Sequence, residues 1–190
     1  MAILDDSQET TNAADISFMP TAQKWGLYLS AGSVIFTILL SIIGFNFNSM
    51  TSMIVFSVVT GLFALAMLIT FGVLCIREHR TNLGGFIDFK QAFMVCFVAF
   101  MISTVISSIF GFIYNTYINP SFMDGMKESM NALFEDKNVP EASRLEAMKG
   151  IDEAKTIAGT LKGMLKSGIF SAVVAAIMAA IMKKARPMFG

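Results

Sequence analysis

The sequence predicts an all-α membrane protein with four transmembrane helices and a helical hairpin inserted between the third and the fourth. Four long apolar segments carry no charged side chain in their interiors, at residues 25–45, 50–76, 92–118 and 167–182. A helix rises about 1.5 Å per residue and a bilayer core is about 30 Å thick, so roughly 20 apolar residues span it. The first three segments reach this length.

The composition favours a bilayer over water as the surroundings of these helices. The chain is 55% hydrophobic and 15% charged, whereas soluble domains are about 25% charged. A water-soluble bundle needs a polar face on every helix, and residues 52–76 offer only Ser, Thr and one Cys as polar side chains. The lipid bilayer is therefore the expected partner. The 14 basic and 14 acidic residues balance, which argues against nucleic acid as a partner.

The chain before the first span is predicted to be a disordered polar tail, residues 1–20. Its acidic residues Asp5, Asp6 and Glu9 stand where a secretory signal peptide has basic ones. Residues 21–118 are predicted to form transmembrane helices one to three. Trp25 and Tyr28 at the start of the first helix are typical of a membrane interface.

Residues 119–157 are predicted to form an extramembrane amphipathic helical hairpin. Pro120 disfavours helical backbone at Asn119 and so ends the third span. Apolar residues then recur at helical spacing on one face: Phe122, Met126, Met130, Leu133 and Phe134. Pro140 interrupts this pattern, and a second helix is expected from about Glu141. The sequence leaves open whether that second helix continues into the fourth span.

The fourth span is predicted at residues 158–184, followed by a C-terminal tail at residues 185–190. Only about 16 residues separate Lys166 from Lys183, which is about 24 Å of helix. The span reaches full length if Lys162 and Lys166 extend their ammonium groups to the headgroups.

Basic residues near the span ends predict that both termini are cytoplasmic. Lys and Arg cluster before the first span, after the second and after the fourth: Lys24, Arg77, Arg80, Lys90, Lys183, Lys184 and Arg186. The turn between the first two spans carries none.

Small residues recur every four positions in the last span, at Gly168, Ala172, Ala176 and Ala180, with a second row at Ser171, Ala175 and Ala179. Such spacing lets two membrane helices approach closely. The first row is a helix-packing candidate, either against the other spans of the same chain or in a homo-oligomer or a complex with another membrane protein.

No set of residues predicts catalysis, a cofactor or a metal. His79 and Cys75 lie one helical turn apart, but a structural zinc site needs four ligands, so His79 is interpreted as a solvated helix end. Cys75 and Cys96 are interpreted as small buried residues. Methionines such as Met126 are attributed to packing rather than to copper binding.

Hydroxyl side chains cluster on the third span at Ser103, Thr104, Ser107 and Ser108. We interpret them as bonded to their own helix or across helices, with a polar path as the alternative. The spans lack ionisable residues in their central parts, which disfavours proton-coupled transport.

Two short stretches at the ends of the third span resemble a known family. The first runs from residue 80 to residue 93 and includes Gly84, Gly85, Phe89, Ala92 and Phe93. The second spans residues 114–122 and includes Asn119 and Pro120. Together they resemble the signature of a bacterial membrane family, the domain-of-unknown-function family 4199. Members of that family more often carry a small polar residue at the position of Asp88. The resemblance implies four spans and an inner-membrane location. It identifies no functional residues in this chain.

The leading hypothesis is a non-enzymatic accessory or assembly subunit that acts through contacts in the membrane. The alternative is a small transporter or channel component, with its polar path near residues 103–108.

Overall fold

The computed structural model describes residues 16–43 and 50–184. Within them the chain forms six α-helices: α1 Met19–Ile43, α2 Met50–Asn82, α3 Phe89–Ile113, α4 Pro120–Asp136, α5 Glu141–Ala154 and α6 Ile157–Met182. A π-helical turn, Tyr114–Ile118, extends α3. Four segments of this described part are long and apolar enough to cross a membrane: Met19–Ile43, Thr51–Asn82, Phe89–Ile118 and Ile157–Met182. The predicted all-helical protein with four apolar spans is therefore confirmed.

The predicted tails fall largely outside the described residues. Residues 1–15, 44–49 and 185–190 are not described. Helix α1 begins at Met19, so the last residues of the predicted N-terminal tail belong to this helix.

Helix α3 is the central helix of the four-span bundle. It packs most extensively against α1 and α6, and α2 packs against α1 and α3. The contact between α1 and α3 depends on Gly26, because a Cβ atom there would lie 2.8 Å from the carbonyl oxygen of Ala99 and 3.0 Å from Cβ of Ile102. Only a residue without a side chain allows the two backbones to come this close.

The buried core lies toward one end of the bundle, where α1 and α3 begin and α2 and α6 end. We call it the packed end. Its buried residues include Cys75, Ile76, Ala92, Val95, Cys96, Ala99, Phe100, Ala175, Met178 and Ala179. By contrast, the most apolar stretch of α2 contains no buried residue among those described. Its outward apolar side chains, such as Val59 and Leu62, are suited to hydrocarbon and not to water.

The turn between α2 and α3 closes the packed end. Gly84 and Gly85 have φ angles of 77° and 92°, a backbone region that favours glycine. This turn places Leu83 and Ile87 in the core. Ile87 also exchanges two backbone hydrogen bonds of 3.0 and 2.8 Å with Lys184, just after α6. The turn therefore ties the α2–α3 connection to the end of the fourth span.

Asp88 caps the first turn of α3. Its carboxylate accepts a hydrogen bond from the backbone N–H of Gln91 at 2.7 Å. The Gln91 side-chain oxygen in turn accepts from the backbone N–H of Asp88 at 3.2 Å. This reciprocal arrangement is a capping box, which satisfies two N–H groups that the helix leaves unpaired.

Helices α4 and α5 lie between the third and fourth spans in sequence and are joined by ion pairs. Lys127 pairs with Asp152 at 2.7 Å, and Arg144 pairs with Glu135 at 2.8 Å. Helix α5 is separate from α6, because Thr156 starts α6 by accepting a hydrogen bond from Gly159 at 3.0 Å. That the two helices form an extramembrane hairpin stays a prediction.

Gly26→Ala is expected to lower the melting temperature of the detergent-solubilised protein, because the new Cβ meets backbone and forces α1 away from α3. Overpacking of this kind costs about 1–3 kcal/mol. Gly61→Ala is the matched control, since a Cβ at Gly61 meets no atom within 4 Å, and Ala favours the helix by about 1 kcal/mol. Equal melting temperatures for the two variants would contradict the close contact.

Asp88→Ala is expected to destabilise the protein by about 1 kcal/mol, because it removes the acceptor that caps α3. Asp88→Asn keeps a side-chain oxygen at this position and should change stability much less. Thermal denaturation of both variants in the same detergent compares them. A loss as large for Asn as for Ala would point to the charge of Asp88 rather than to its capping bond.

Candidate functional site

A cleft of about 420 Å³ lies between the four spans, beside the packed end. We call it the hydroxyl cleft. Each of the four spans contributes hydroxyl side chains to its lining: Ser33 and Thr37 from α1, Thr60 from α2, Ser103, Thr104, Ser107 and Ser108 from α3, and Ser167 and Ser171 from α6. Apolar residues complete the lining, among them Phe36, Phe63, Met67, Phe100 and Phe170. The site is thus a mixed polar and apolar space within the bundle.

The cleft exists because small side chains face one another where larger ones would fill the bundle. Ser103 and Ser107 are four residues apart on α3, as are Thr104 and Ser108, so each pair lies on one side of that helix. Near the packed end, large side chains fill the space between the helices. A Cβ atom at Gly72 would lie 2.6 Å from Cε of Met178 and 3.0 Å from Cζ of Phe100, so α2 packs closely against both side chains there.

Hydroxyl groups that line the cleft differ in whether a buried oxygen has a partner among the described residues. Ser33 donates to the carbonyl oxygen of Leu29 at 2.9 Å, and Thr37 donates to that of Ser33 at 2.9 Å. Hydroxyl groups on membrane helices usually donate to a backbone carbonyl of their own helix in this way. Oγ1 of Thr60 and Oγ of Ser107 are instead buried without a hydrogen-bond partner among the described residues. The interpretation that the α3 hydroxyls are all internally bonded is therefore wrong for Ser107.

The lining of the cleft is uncharged among the described residues. Its hydroxyl groups can both donate and accept hydrogen bonds. Phe36 and Phe63 stack with their ring centroids 3.7 Å apart and their planes inclined by 15°, which forms an aromatic wall across α1 and α2. The arrangement can hold an uncharged group that has both polar and apolar parts.

His79 is not the solvated helix end that the sequence suggested. Its relative exposure is 1%, and its Nδ1 atom is buried without a partner among the described residues. The physical reason is that α2 continues to Asn82 and the following turn folds Leu83 and Ile87 into the core beside it. Cys75, one turn earlier, and Cys96 are buried free thiols, as the sequence indicated.

A polar contact between α1 and α2 is visible only in the structure. The carboxylate of Glu78 accepts hydrogen bonds from Lys24 Nζ at 2.8 Å and from Trp25 Nε1 at 2.9 Å. The sequence alone indicates only a topology signal at Lys24 and an interface anchor at Trp25. Their partner lies more than fifty residues away in sequence, so spacing alone could not identify it.

The predicted packing row on α6 lies at the border of the bundle. Gly168, Ala172 and Ala176 are half-buried and Ala180 is exposed, whereas the neighbouring Ser171, Ala175 and Ala179 are buried. Within one chain the second row is the more deeply buried, and Gly168 of the first row also faces α3, since a Cβ atom there would lie 3.3 Å from Sδ of Met101. That the first row meets another protein or another copy stays a prediction.

The family-signature residues lie at the two ends of α3 and do not meet. Ala92 is fully buried, and Phe93 stacks on Phe89 and Phe97 at centroid distances of 6.2 and 5.5 Å. At the other end, the N–H of Asn119 donates to the carbonyl oxygen of Tyr114 at 2.8 Å and closes the π-helical turn before Pro120. Both stretches shape helix ends, and neither lines the hydroxyl cleft.

Comparison with known proteins supports the resemblance found in the sequence. The family described as "Protein of unknown function (DUF4199)" matches residues 24–184, which include nearly all of the four apolar spans and both intervening helices. No curated protein and no solved structure matches the chain. Since the match covers most of the chain, the protein belongs to this family of unknown function, domain-of-unknown-function family 4199.

Proposed function

We propose that the protein is a non-enzymatic accessory or assembly subunit of the bacterial inner membrane that acts through contacts between helices. The observation that carries this proposal is the half-exposed row of small residues on α6, at Gly168, Ala172 and Ala176. Small side chains allow a second helix to approach closely within a bilayer. The partner is a second copy of the chain or another membrane protein.

A cytoplasmic location of both termini belongs to the same proposal. Basic residues gather at the packed end, with Lys24 near the start of α1, Arg77 and Arg80 near the end of α2, and Lys90 in the first turn of α3. Lys183 follows α6 at this end. Basic residues near span ends remain on the cytoplasmic side. Helices α4 and α5 would then form a hairpin on the outer side, held together by ion pairs such as Lys127 with Asp152.

Reporter fusions test this orientation. Fusions after Phe45, Gly85, Asn138 and Gly190 are expected to report outside, inside, outside and inside in turn, because consecutive spans cross the bilayer in opposite directions. Alkaline phosphatase and green fluorescent protein serve as the complementary pair of reporters. A cytoplasmic signal at Asn138 would reverse the orientation and remove the outer hairpin.

Site-specific photocrosslinking in cells tests the subunit role. A photoreactive amino acid at Ala176 is expected to form an adduct with a second polypeptide, because a partner helix would lie against this row. The same amino acid at Val59, on the exposed face of α2, is the control and should give lipid adducts. Absence of protein adducts at Ala176, together with a strictly monomeric particle that has no co-purifying protein, would contradict the proposal.

The hydroxyl cleft favours a second candidate function, a small transporter or channel component for uncharged solutes. Its lining joins hydroxyl groups from all four spans, and the lining residues that the structure describes carry none of the charges that ion-coupled carriers use. Stopped-flow swelling of proteoliposomes with glycerol and urea tests it. Permeation no faster than in protein-free vesicles would remove this candidate.

A further inference from the structure

We propose that the hydroxyl cleft is a binding site for an uncharged lipophile, a molecule with an apolar body and a hydroxyl or carbonyl group, taken up from the bilayer. The inference concerns the interior of the bundle and does not depend on the subunit role, which rests on the outer face of α6.

The depth of the cleft determines which molecules can reach it. Thr60 lies about ten residues from the start of α2, which is about 15 Å along the helix. Half of the hydrocarbon thickness is also about 15 Å. The cleft therefore lies near the middle of the bilayer, where the available molecules are those that dissolve in hydrocarbon. Its volume of about 420 Å³ falls within the range of about 300–1,000 Å³ that is typical of small-molecule sites.

The unpartnered hydroxyls of Thr60 and Ser107 indicate that the ligand has a polar group. They lie on different spans, α2 and α3, and both line the cleft. A polar group left without a partner in a low-dielectric interior is unfavourable, and lipid tails provide no hydrogen-bonding atom. Both oxygen atoms are themselves shielded in this structure, so each side chain has to rotate about its Cα–Cβ bond to present its hydroxyl to a ligand oxygen in the cleft. Because a hydroxyl can donate or accept, an alcohol and a carbonyl both fit.

The absence of charged residues from the described lining indicates that the ligand is neutral. An ion at this depth would need a counter-charge, since charged groups are costly inside a membrane. The hydroxyl groups, aromatic rings and aliphatic side chains of the described lining are all neutral. The stacked rings of Phe36 and Phe63 and the ring of Phe170 suit an apolar body.

Water is the competing occupant. At about 30 Å³ per molecule, the cleft would hold on the order of ten waters. Much of its wall is aromatic or aliphatic, and a buried water needs two to four polar partners. A lipophile with one polar group can contact the apolar side chains and bond to the hydroxyl groups at the same time, so the mixed lining favours it over water.

The test uses the full-length protein in phosphatidylcholine nanodiscs and a hexadecanol that carries a diazirine in its chain. After illumination, mass spectrometry measures labelling of the cleft residues around Ala64 and Ser108 relative to the exposed face of α2 around Val59. Cleft labelling is expected to saturate and to be competed by plain hexadecanol. The corresponding fatty acid with the same diazirine, deprotonated at pH 9, is expected to label only the outer face.

The double variant Thr60→Val with Ser107→Ala is expected to need roughly tenfold more probe for half-maximal cleft labelling, because two hydrogen bonds to the ligand are lost. Ser41→Ala is the matched control, since Ser41 donates to the carbonyl oxygen of Thr37 and does not line the cleft. It should bind as the unmodified protein does. Ala64→Leu, which fills the cleft without removing a hydroxyl, should abolish the saturable labelling.

Unchanged half-saturation in the double variant would overturn the proposal, as would equal cleft labelling by the charged analogue. Labelling confined to the outer face would also overturn it. If the double variant does not fold, Ala64→Leu decides the matter. Saturable cleft labelling that persists in this variant refutes the site, and its loss in a protein with an unchanged gel-filtration profile supports it.

Discussion

The close packing of α1 and α6 on α3 is the contact on which the rest of the structure depends. In hydrocarbon, apolar side chains gain little by turning away from the solvent, so helices associate through close van der Waals contact and a few hydrogen bonds. Gly26 allows α1 to lie against the backbone of α3 at Ala99. On the other side, Ala175 and Ala179 are fully buried on α6. Small residues thus form the closest helix contacts, beside large buried side chains such as Phe100 and Ile76.

The polar contacts of the bundle are divided between its packed end and its middle. At the packed end they join elements: Glu78 connects α2 to Lys24 and Trp25 of α1, and Ile87 pairs with Lys184 after α6. In the middle, Ser33 and Thr37 bond only within α1, and the hydroxyls of Thr60 and Ser107 lack partners among the described residues. Polar contacts between spans are therefore concentrated at the packed end.

The two stretches that carry the family resemblance have a structural explanation. Gly84 and Gly85 adopt backbone angles that favour glycine, and Asp88 then caps α3. At the far end, Asn119 closes the π-helical turn before Pro120 starts α4. Both stretches determine where the central helix begins and ends. Asp88 in particular acts through hydrogen bonds to Gln91 and lies away from the cleft.

The helices could be predicted from the amino-acid pattern alone, because the length of an apolar segment and the position of Gly, Pro and capping residues act locally. Four spans, the ends of α3 and the buried cysteines were all predictable in this way. Packing between helices determines what depends on distant partners: the burial of His79, the contact of Glu78 with Lys24, and which row of small residues on α6 is buried. It also decided that hydroxyls from four helices converge on one cleft, because the rotation of each helix about its axis is set by packing against its neighbours and leaves no mark in residue spacing.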